Sequence, residues 1–440
     1  MRLINTETLE MHEFLLAHVP RYAILSHRWQ EEEVSFKQYS KRHKYPEIQQ
    51  FKGLAKIEQF CRIAREREMQ WAWIDTFCID SRSSAELSEA INSMWQWYAD
   101  AAERYIYLCD VHMQDDFLKV LAQVERSEWF IRGWTLQELI APRYRIFFTS
   151  NWAEIGFIKC KPGLWAYEEV FENYSCAERF PIHFPSFISR TSKVPLRCLL
   201  GRSVALFSVG ERISWSAGRR TSRLEDVAYS LMGLLGVNMP LLYGEGDEKA
   251  FVRLQMELIK KSRDSSLFAW EFPNTRGRIV DQYYRGLLAP TPAYFANFDR
   301  FQALDGASWS FGAHSTRPFT FPYAMTNCGL YLHVEAYRVH LYTRTRHCAL
   351  WCVPLSTKGH AIFLEHSVDL DPRSSPVPAR RRCVTKWAVL NCKSGHLLPK
   401  AGGVVSTTEE LDEAQSFVQL TEDNRSRLEL CEFYVDQGHV

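Results

Sequence analysis

Four short apolar runs punctuate the first third of the chain: Tyr22-Ala-Ile-Leu25, Trp71-Ala-Trp-Ile74, Tyr105-Ile-Tyr-Leu108 and Arg145-Ile-Phe-Phe148. Runs of that length, bounded by polar residues, predict buried strands. Between the first two, Leu54, Ile57, Cys61 and Ala64 recur every three or four residues and predict a helix from Gly53 to Met69. Leu87, Ile91, Met94, Tyr98 and Ala102 mark one face of a second helix. Phe117 to Ile140 reads as helical, broken near Gly133 and stopped before Pro142, whose ring and missing amide hydrogen end a helix. Strands separated by helices imply βαβ units, a parallel sheet flanked by helices and right-handed crossovers.

From 151 to 200 the pattern weakens and prolines accumulate. Between 205 and 262 it is helical again, with stripes at Val227, Leu231, Leu234, Leu235 and at Phe251, Leu254, Leu258. After Pro290-Thr-Pro292 the texture changes to Trp309–Phe311, Gly329–Val334, Ala349–Val353, Ala361–Leu364 and Trp387–Leu390, which predict antiparallel strands. Asp371–Arg382, rich in Pro and Arg, predicts a loop. The expected division is an α/β domain over 1–160, a helical extension over 161–275 and a β-rich domain over 276–440. No internal repeat is visible.

Charge narrows the function classes. Lys and Arg number 53 against 52 Asp and Glu, a net charge of +1, which argues against nucleic-acid binding driven by bulk charge. The start of the chain is not an apolar leader, and the longest apolar stretch, Leu231–Tyr243, is interrupted by Asn238 and Pro240 and is too short to span a bilayer. The expectation is a cytoplasmic protein with no membrane contact. Twelve cysteines include no C-x-x-C pair, so they read as reduced thiols rather than a disulfide framework or metal site. Cys348 and Cys352, beside His347, read as strand cysteines in preference to zinc ligands.

In an open parallel sheet, ligands bind beyond the carboxyl ends of the strands. The first strand ends in Ser26-His27-Arg28-Trp29, the second in Asp75-Thr-Phe-Cys78-Ile-Asp80, the third in Cys109-Asp110. Each residue alone reads as a helix cap; their coincidence on three consecutive strands points to a site. His27 is open to two readings, a general base or ligand group and a structural histidine. Glu86 in Ser83-Ser-Ala-Glu86 fits a capping box, as does Glu138 with Thr135. Glu138 also stands near Trp129 and Trp134, where a carboxylate would be raised in pKa if desolvated or serve as an anionic acceptor. Gly244-Glu-Gly246 lacks a preceding strand and a third glycine, so it reads as a turn opening a helix at Asp247 rather than a phosphate loop. Arg212, Arg219, Arg220 and Arg223 form a basic cluster that reads as a solvated face, with a phosphate or partner contact as the alternative.

Tyr22-Ala-Ile-Leu-Ser-His-Arg-Trp29, Trp73-Ile-Asp-Thr-Phe-Cys-Ile-Asp80, Ser84–Met94 and Arg132-Gly-Trp-Thr-Leu-Gln-Glu-Leu139 together resemble the fungal heterokaryon-incompatibility (HET) domain. The resemblance continues through Tyr229–Gly246 and Gly286–Pro290, and Arg28 stands where the family commonly has Thr. That family looks like a distant relative of TIR domains, so the resemblance implies a flavodoxin/TIR-like parallel sheet. TIR enzymes cleave NAD with a glutamate four residues after a tryptophan, the interval of Trp134 and Glu138. The resemblance therefore implies Glu138 as catalytic residue, and Ser26, His27, Arg28, Trp29, Asp75, Cys78, Asp80 and Trp134 as ligand contacts, with NAD as substrate and no resident cofactor. It equally implies a non-catalytic alternative, self-association into a homo-oligomer or with other incompatibility proteins. Either mode would serve fungal programmed cell death.

Overall fold

The computed structural model describes residues 1–160, 183–262, 264–270, 288–296 and 298 and, from 323 to 435, strand backbone. Two compact units result, Met1–Leu206 with Arg219–Tyr243, and Phe207–Gly218 with Gly244–Val440.

The first unit is built on a seven-stranded sheet: β1 (Arg2–Asn5), β2 (Met11–Glu13), β3 (Tyr22–His27), β4 (Trp71–Trp73), β5 (Glu103–Tyr107), β6 (Tyr144–Phe148) and β7 (Glu154–Lys159), in the order β2-β1-β4-β3-β5-β6-β7. The four strands read from apolar runs are all present, and they pair in parallel as β4-β3-β5-β6. Every residue of β3 is buried, as a central strand covered on both faces requires. The sheet is nevertheless mixed. β1 joins β4 antiparallel and carries β2, while β7 joins β6 antiparallel. These edge strands escape a search for apolar runs because each is only partly buried and carries polar residues among its apolar ones.

Between the strands lie α1 (Phe36–Ser40), α2 (Lys52–Glu66), α3 (Asp75–Cys78), α4 (Ser84–Asp100), α5 (Phe117–Arg126) and α6 (Thr135–Ile140). The break expected near Gly133 is real: a short 3-10 turn, Glu128–Ile131, separates α5 from α6. Packed on this frame are α7 (Phe184–Ser192), α8 (Leu196–Leu199) and the short helices Asp226–Tyr229 and Met232–Leu235. Gly233 makes the last of these approaches possible, since a Cβ there would lie 2.3 Å from Cβ of Trp95 on α4.

The N-terminal capping of α4 departs from the reciprocal box. The Ser83 hydroxyl accepts from the Glu86 amide, but the Glu86 carboxylate accepts from the Asp80 amide at 2.7 Å and pairs with Arg2. Glu86 thus ties the edge strand β1 to the turn before α4.

In the second unit, helices Val209–Ser214 and Asp247–Lys261 pack with the 3-10 turns Ser265–Phe268 and Pro292–Phe295. Gly246 precedes the Asp247 helix at φ 82°, so Gly244-Glu-Gly246 is a turn, as expected. Beyond residue 322 the described residues are strands. Gly329–Tyr342 pairs antiparallel with Tyr323–Thr326, His347–Pro354 and Glu429–Val435. Ala361–His366 pairs with His347–Pro354 and with Val377–Arg382. The expected loop over 371–382 is therefore corrected at Val377–Arg382, which is a strand; residues 371–376 and Trp309–Phe311 lie outside the described residues.

Candidate active site

The chain leaves β3 toward β4 on one side and leaves β5 toward β6 on the other. The carboxyl ends of β3 and β5 therefore flank a topological switch point, where an open α/β sheet leaves a crevice. A cavity of about 320 Å³ opens in this unit, with His27, Trp29, Asp75, Trp134 and Glu138 on its wall. These residues come from the end of β3, from α3 and from the start of α6, which converge although Ser26 of β3 and Glu138 of α6 are 112 positions apart.

Glu138 is buried, and its carboxylate takes partners from two sheet strands and from Tyr98 of α4. Ser26 Oγ of β3 donates to Glu138 Oε2, and Arg104 Nη2 of β5 reaches the same oxygen at 3.2 Å. Trp129 Nε1 donates to Ser26 Oγ at 3.0 Å, which turns the serine toward the carboxylate. The Arg104 guanidinium lies 4.3 Å from the centre of the Tyr98 ring. Burial raises the Glu138 pKa, opposed by Arg104, the Ser26 hydrogen bond and Arg132. The capping-box reading of Thr135 and Glu138 is overturned. Thr135 is inside the helix, and its hydroxyl donates to the carbonyls of Trp129 (2.6 Å) and Arg132 (2.9 Å).

Asp75 accepts from Trp29 Nε1 at 2.7 Å and from the Thr76 amide at 2.8 Å. Its carboxyl is pushed up to about 7, first by burial and then by the charge of Glu138. His27 is buried, and neither ring nitrogen has a hydrogen-bond partner among the described residues. Its Nε2 lies 3.8 Å from both Glu33 Oε1 and Asp75 Oδ1, beyond hydrogen-bond range. Burial, with Lys56 and Arg132 nearby, lowers its pKa well below the usual value, so the imidazole is neutral. Lys56 pairs with Glu33 and neutralises it.

The remaining expected contacts fall elsewhere. Ser26 stands behind Glu138 rather than on the cavity wall. Arg28 is not on that wall. Cys78 is buried, its thiol pushed up to about 12 by burial, and Asp80 forms an ion pair with Arg82 at 2.6 Å on a surface turn. Among the described residues no group of three His, Cys, Asp or Glu could hold a metal ion.

One wall was legible in the sequence only at Arg223, through the basic cluster. Ser222, Arg223, Asp226 and Tyr243 line the cavity from the segment Arg219–Tyr243, well beyond the α/β domain expected to end at 160. Asp226 accepts from Trp134 Nε1 at 2.9 Å and from the Tyr243 hydroxyl at 3.0 Å, so it positions both rings. The segment is seamed to the loop before α6: Gly133 N donates to Arg220 O at 2.8 Å, and Arg219 Nη1 donates to Arg132 O at 3.0 Å. The expected solvated face is corrected at Arg219, which is engaged with this loop; Arg220 and Arg223 are exposed as expected, and Arg223 also lines the cavity. Glu33, Thr76 and Arg132 complete the wall. Thr76 and Arg132 stand inside the motifs quoted above; Asp226 carried no signal.

The Glu138 carboxylate, buried at the switch point of the sheet, gives the cavity an ionisable wall. Residues 22–121 match the model of a family described as "Heterokaryon incompatibility protein (HET)". The chain therefore carries a HET domain. It is 40% identical over 249 residues to vegetative incompatibility protein HET-E-1 of Podospora anserina, a match covering 55% of this chain and 16% of that protein. No solved structure matches the chain. Among the described residues no helix is long and apolar enough to cross a membrane.

Proposed function

We propose that this chain is a heterokaryon-incompatibility-type protein that triggers or regulates fungal programmed cell death by cleaving NAD. The observation that carries the proposal is the placement of the Glu138 carboxylate on the wall of a cavity at the sheet switch point, beside Asp75 and two tryptophans. The HET match and the printed name of the Podospora relative support the biological half. The strand order β4-β3-β5-β6 supports a flavodoxin/TIR-like classification of the domain, and the strands beyond 322 support a β-rich C-terminal domain.

The chemistry follows from charge. When the ribose–nicotinamide bond breaks, its electron pair goes to the pyridinium nitrogen, so nicotinamide leaves neutral and the sugar becomes an oxocarbenium ion. An ionised Glu138 stabilises that cation. Water then adds to the sugar carbon, giving ADP-ribose and a proton. Asp75, with a pKa near 7, is suited to receive that proton. Trp29, half exposed, and Trp134 offer faces for a ring to stack on. The full chain incubated with NAD is expected to release nicotinamide, and Glu138→Gln to abolish release; turnover retained in that variant would remove Glu138 from the mechanism.

A second reading is self-association, favoured by the exposed apolar side chains Leu15, Leu118, Leu224 and Leu242. An assembling scaffold would kill fungal cells equally well with Glu138→Gln, and would lose killing when Leu118 is made charged.

A further inference from the structure

Arg132 lines the cavity, and among the described residues its hydrogen bonds are made by its backbone alone. Its carbonyl accepts from Thr135 Oγ1 and Arg219 Nη1, and its backbone bridges to Arg220. The residue is therefore fixed while its guanidinium is left without a carboxylate. The charge of that guanidinium is felt at both Glu138 and His27, lowering the pKa of each. A guanidinium keeps its charge in proteins and presents a planar fork of donors. Half-buried and outside any ion pair among the described residues, it is able to take an anion. A second guanidinium, that of Arg223, lies 4.2 Å from the centre of the Tyr243 ring and lines the same cavity.

We infer that Arg132 and Arg223 form an anion subsite that takes the pyrophosphate of a dinucleotide. Glu138 and Asp75 are suited to a sugar that becomes cationic, and the two arginines, of which Arg223 stands beside Asp226, to phosphoryl oxygens. Two guanidinium forks match a diphosphate better than a single carboxylate, since each fork takes a pair of oxygens. This subsite rests on the reading of Glu138 as the NAD-cleaving residue, and it narrows the substrate class. Nucleotides with a phosphate bridge bind, whereas the corresponding nucleosides do not.

The test is titration calorimetry on the full chain, with ADP-ribose and adenosine as probes at two salt concentrations. ADP-ribose is expected to bind at least about tenfold more tightly than adenosine, with affinity falling as salt rises. Arg132→Ala is expected to weaken ADP-ribose binding about tenfold to a hundredfold, the loss of one or two charge-assisted hydrogen bonds. Arg223→Ala should weaken it less, because that side chain is more exposed. Arg132→Lys keeps the charge and is expected to recover part of the affinity, which a purely structural role for the side chain would not predict. Equal binding of ADP-ribose and adenosine, or unchanged ADP-ribose affinity in Arg132→Ala, overturns the subsite; if Arg132→Ala does not fold, Arg132→Gln is read in its place. Arg132-dependent ADP-ribose binding without NAD cleavage would keep the subsite and remove the cleavage reading. NAD cleavage with an unchanged KM in Arg132→Ala would do the reverse.

Discussion

Asp75 and Glu138 share one cavity but differ in what compensates their burial. Glu138 has Arg104, Ser26 and Arg132 to offset desolvation, whereas Asp75 has only neutral donors, Trp29 and the Thr76 amide. The proton of Asp75 is therefore the one that moves near neutrality. Between about pH 4 and 7 the native protein holds a proton on Asp75 that the unfolded chain has released, so this group's contribution to stability falls as pH rises through that window. Asp75→Asn is expected to be more stable than wild type above pH 7 and to match it below pH 4. The side chain is 23% exposed, so the gain is about 1–2 kcal/mol rather than the full effect of a buried carboxylate. Urea titrations at pH 4 and pH 8 check this, and an equal difference at both would refute it. His27 works in the opposite sense, losing stability as pH falls below its unfolded value.

Among the elements, α6 is the one on which the site depends. It has six residues, all buried, and no side-chain cap at its N-terminus. Its position is set instead by contacts from outside: Thr135 to Trp129, Gly133 to Arg220, and Trp134 to Asp226. The helix Met232–Leu235 braces the same region, packing Gly233 against Trp95 and near Gln137 of α6. Gly233→Ala is expected to lower stability by about 1–3 kcal/mol, because neither backbone can yield easily to a Cβ placed 2.3 Å from another. Denaturant unfolding measures it, and a shift under about 0.5 kcal/mol would show that the helix re-seats freely.

In the molecule as a whole, the unit that carries the cavity is discontinuous, running from Met1 to Leu206 and resuming at Arg219–Tyr243. A boundary at residue 160 would cut away Arg223, Asp226 and Tyr243 together. A chain truncated after Leu206 is expected to lose ADP-ribose binding and to melt at a lower temperature, since Trp134 loses the acceptor that holds its indole. Undiminished affinity in that truncation would mean that the last wall is dispensable. The HET match, over 22–121, takes in β3, Asp75 and Arg104 but stops short of Glu138.

The elements of the parallel core were determined by the chain itself. Apolar runs of strand length and three-to-four-residue spacing between them leave few arrangements that bury both, so β3, β4, β5, β6 and the helices α2, α4 and α5 were readable in advance. The clustering of Ser26, His27 and Asp75 at one edge followed from the same rule. What only the tertiary structure decided was pairing at a distance. A capping box and a buried ion pair begin from the same letters, and for Thr135 and Glu138 the choice was made by Ser26 and Arg104, which lie 112 and 34 positions away. Asp226 had no local signature because its work is done against Trp134 and Tyr243, contacts that exist only once the chain has returned to the α/β sheet.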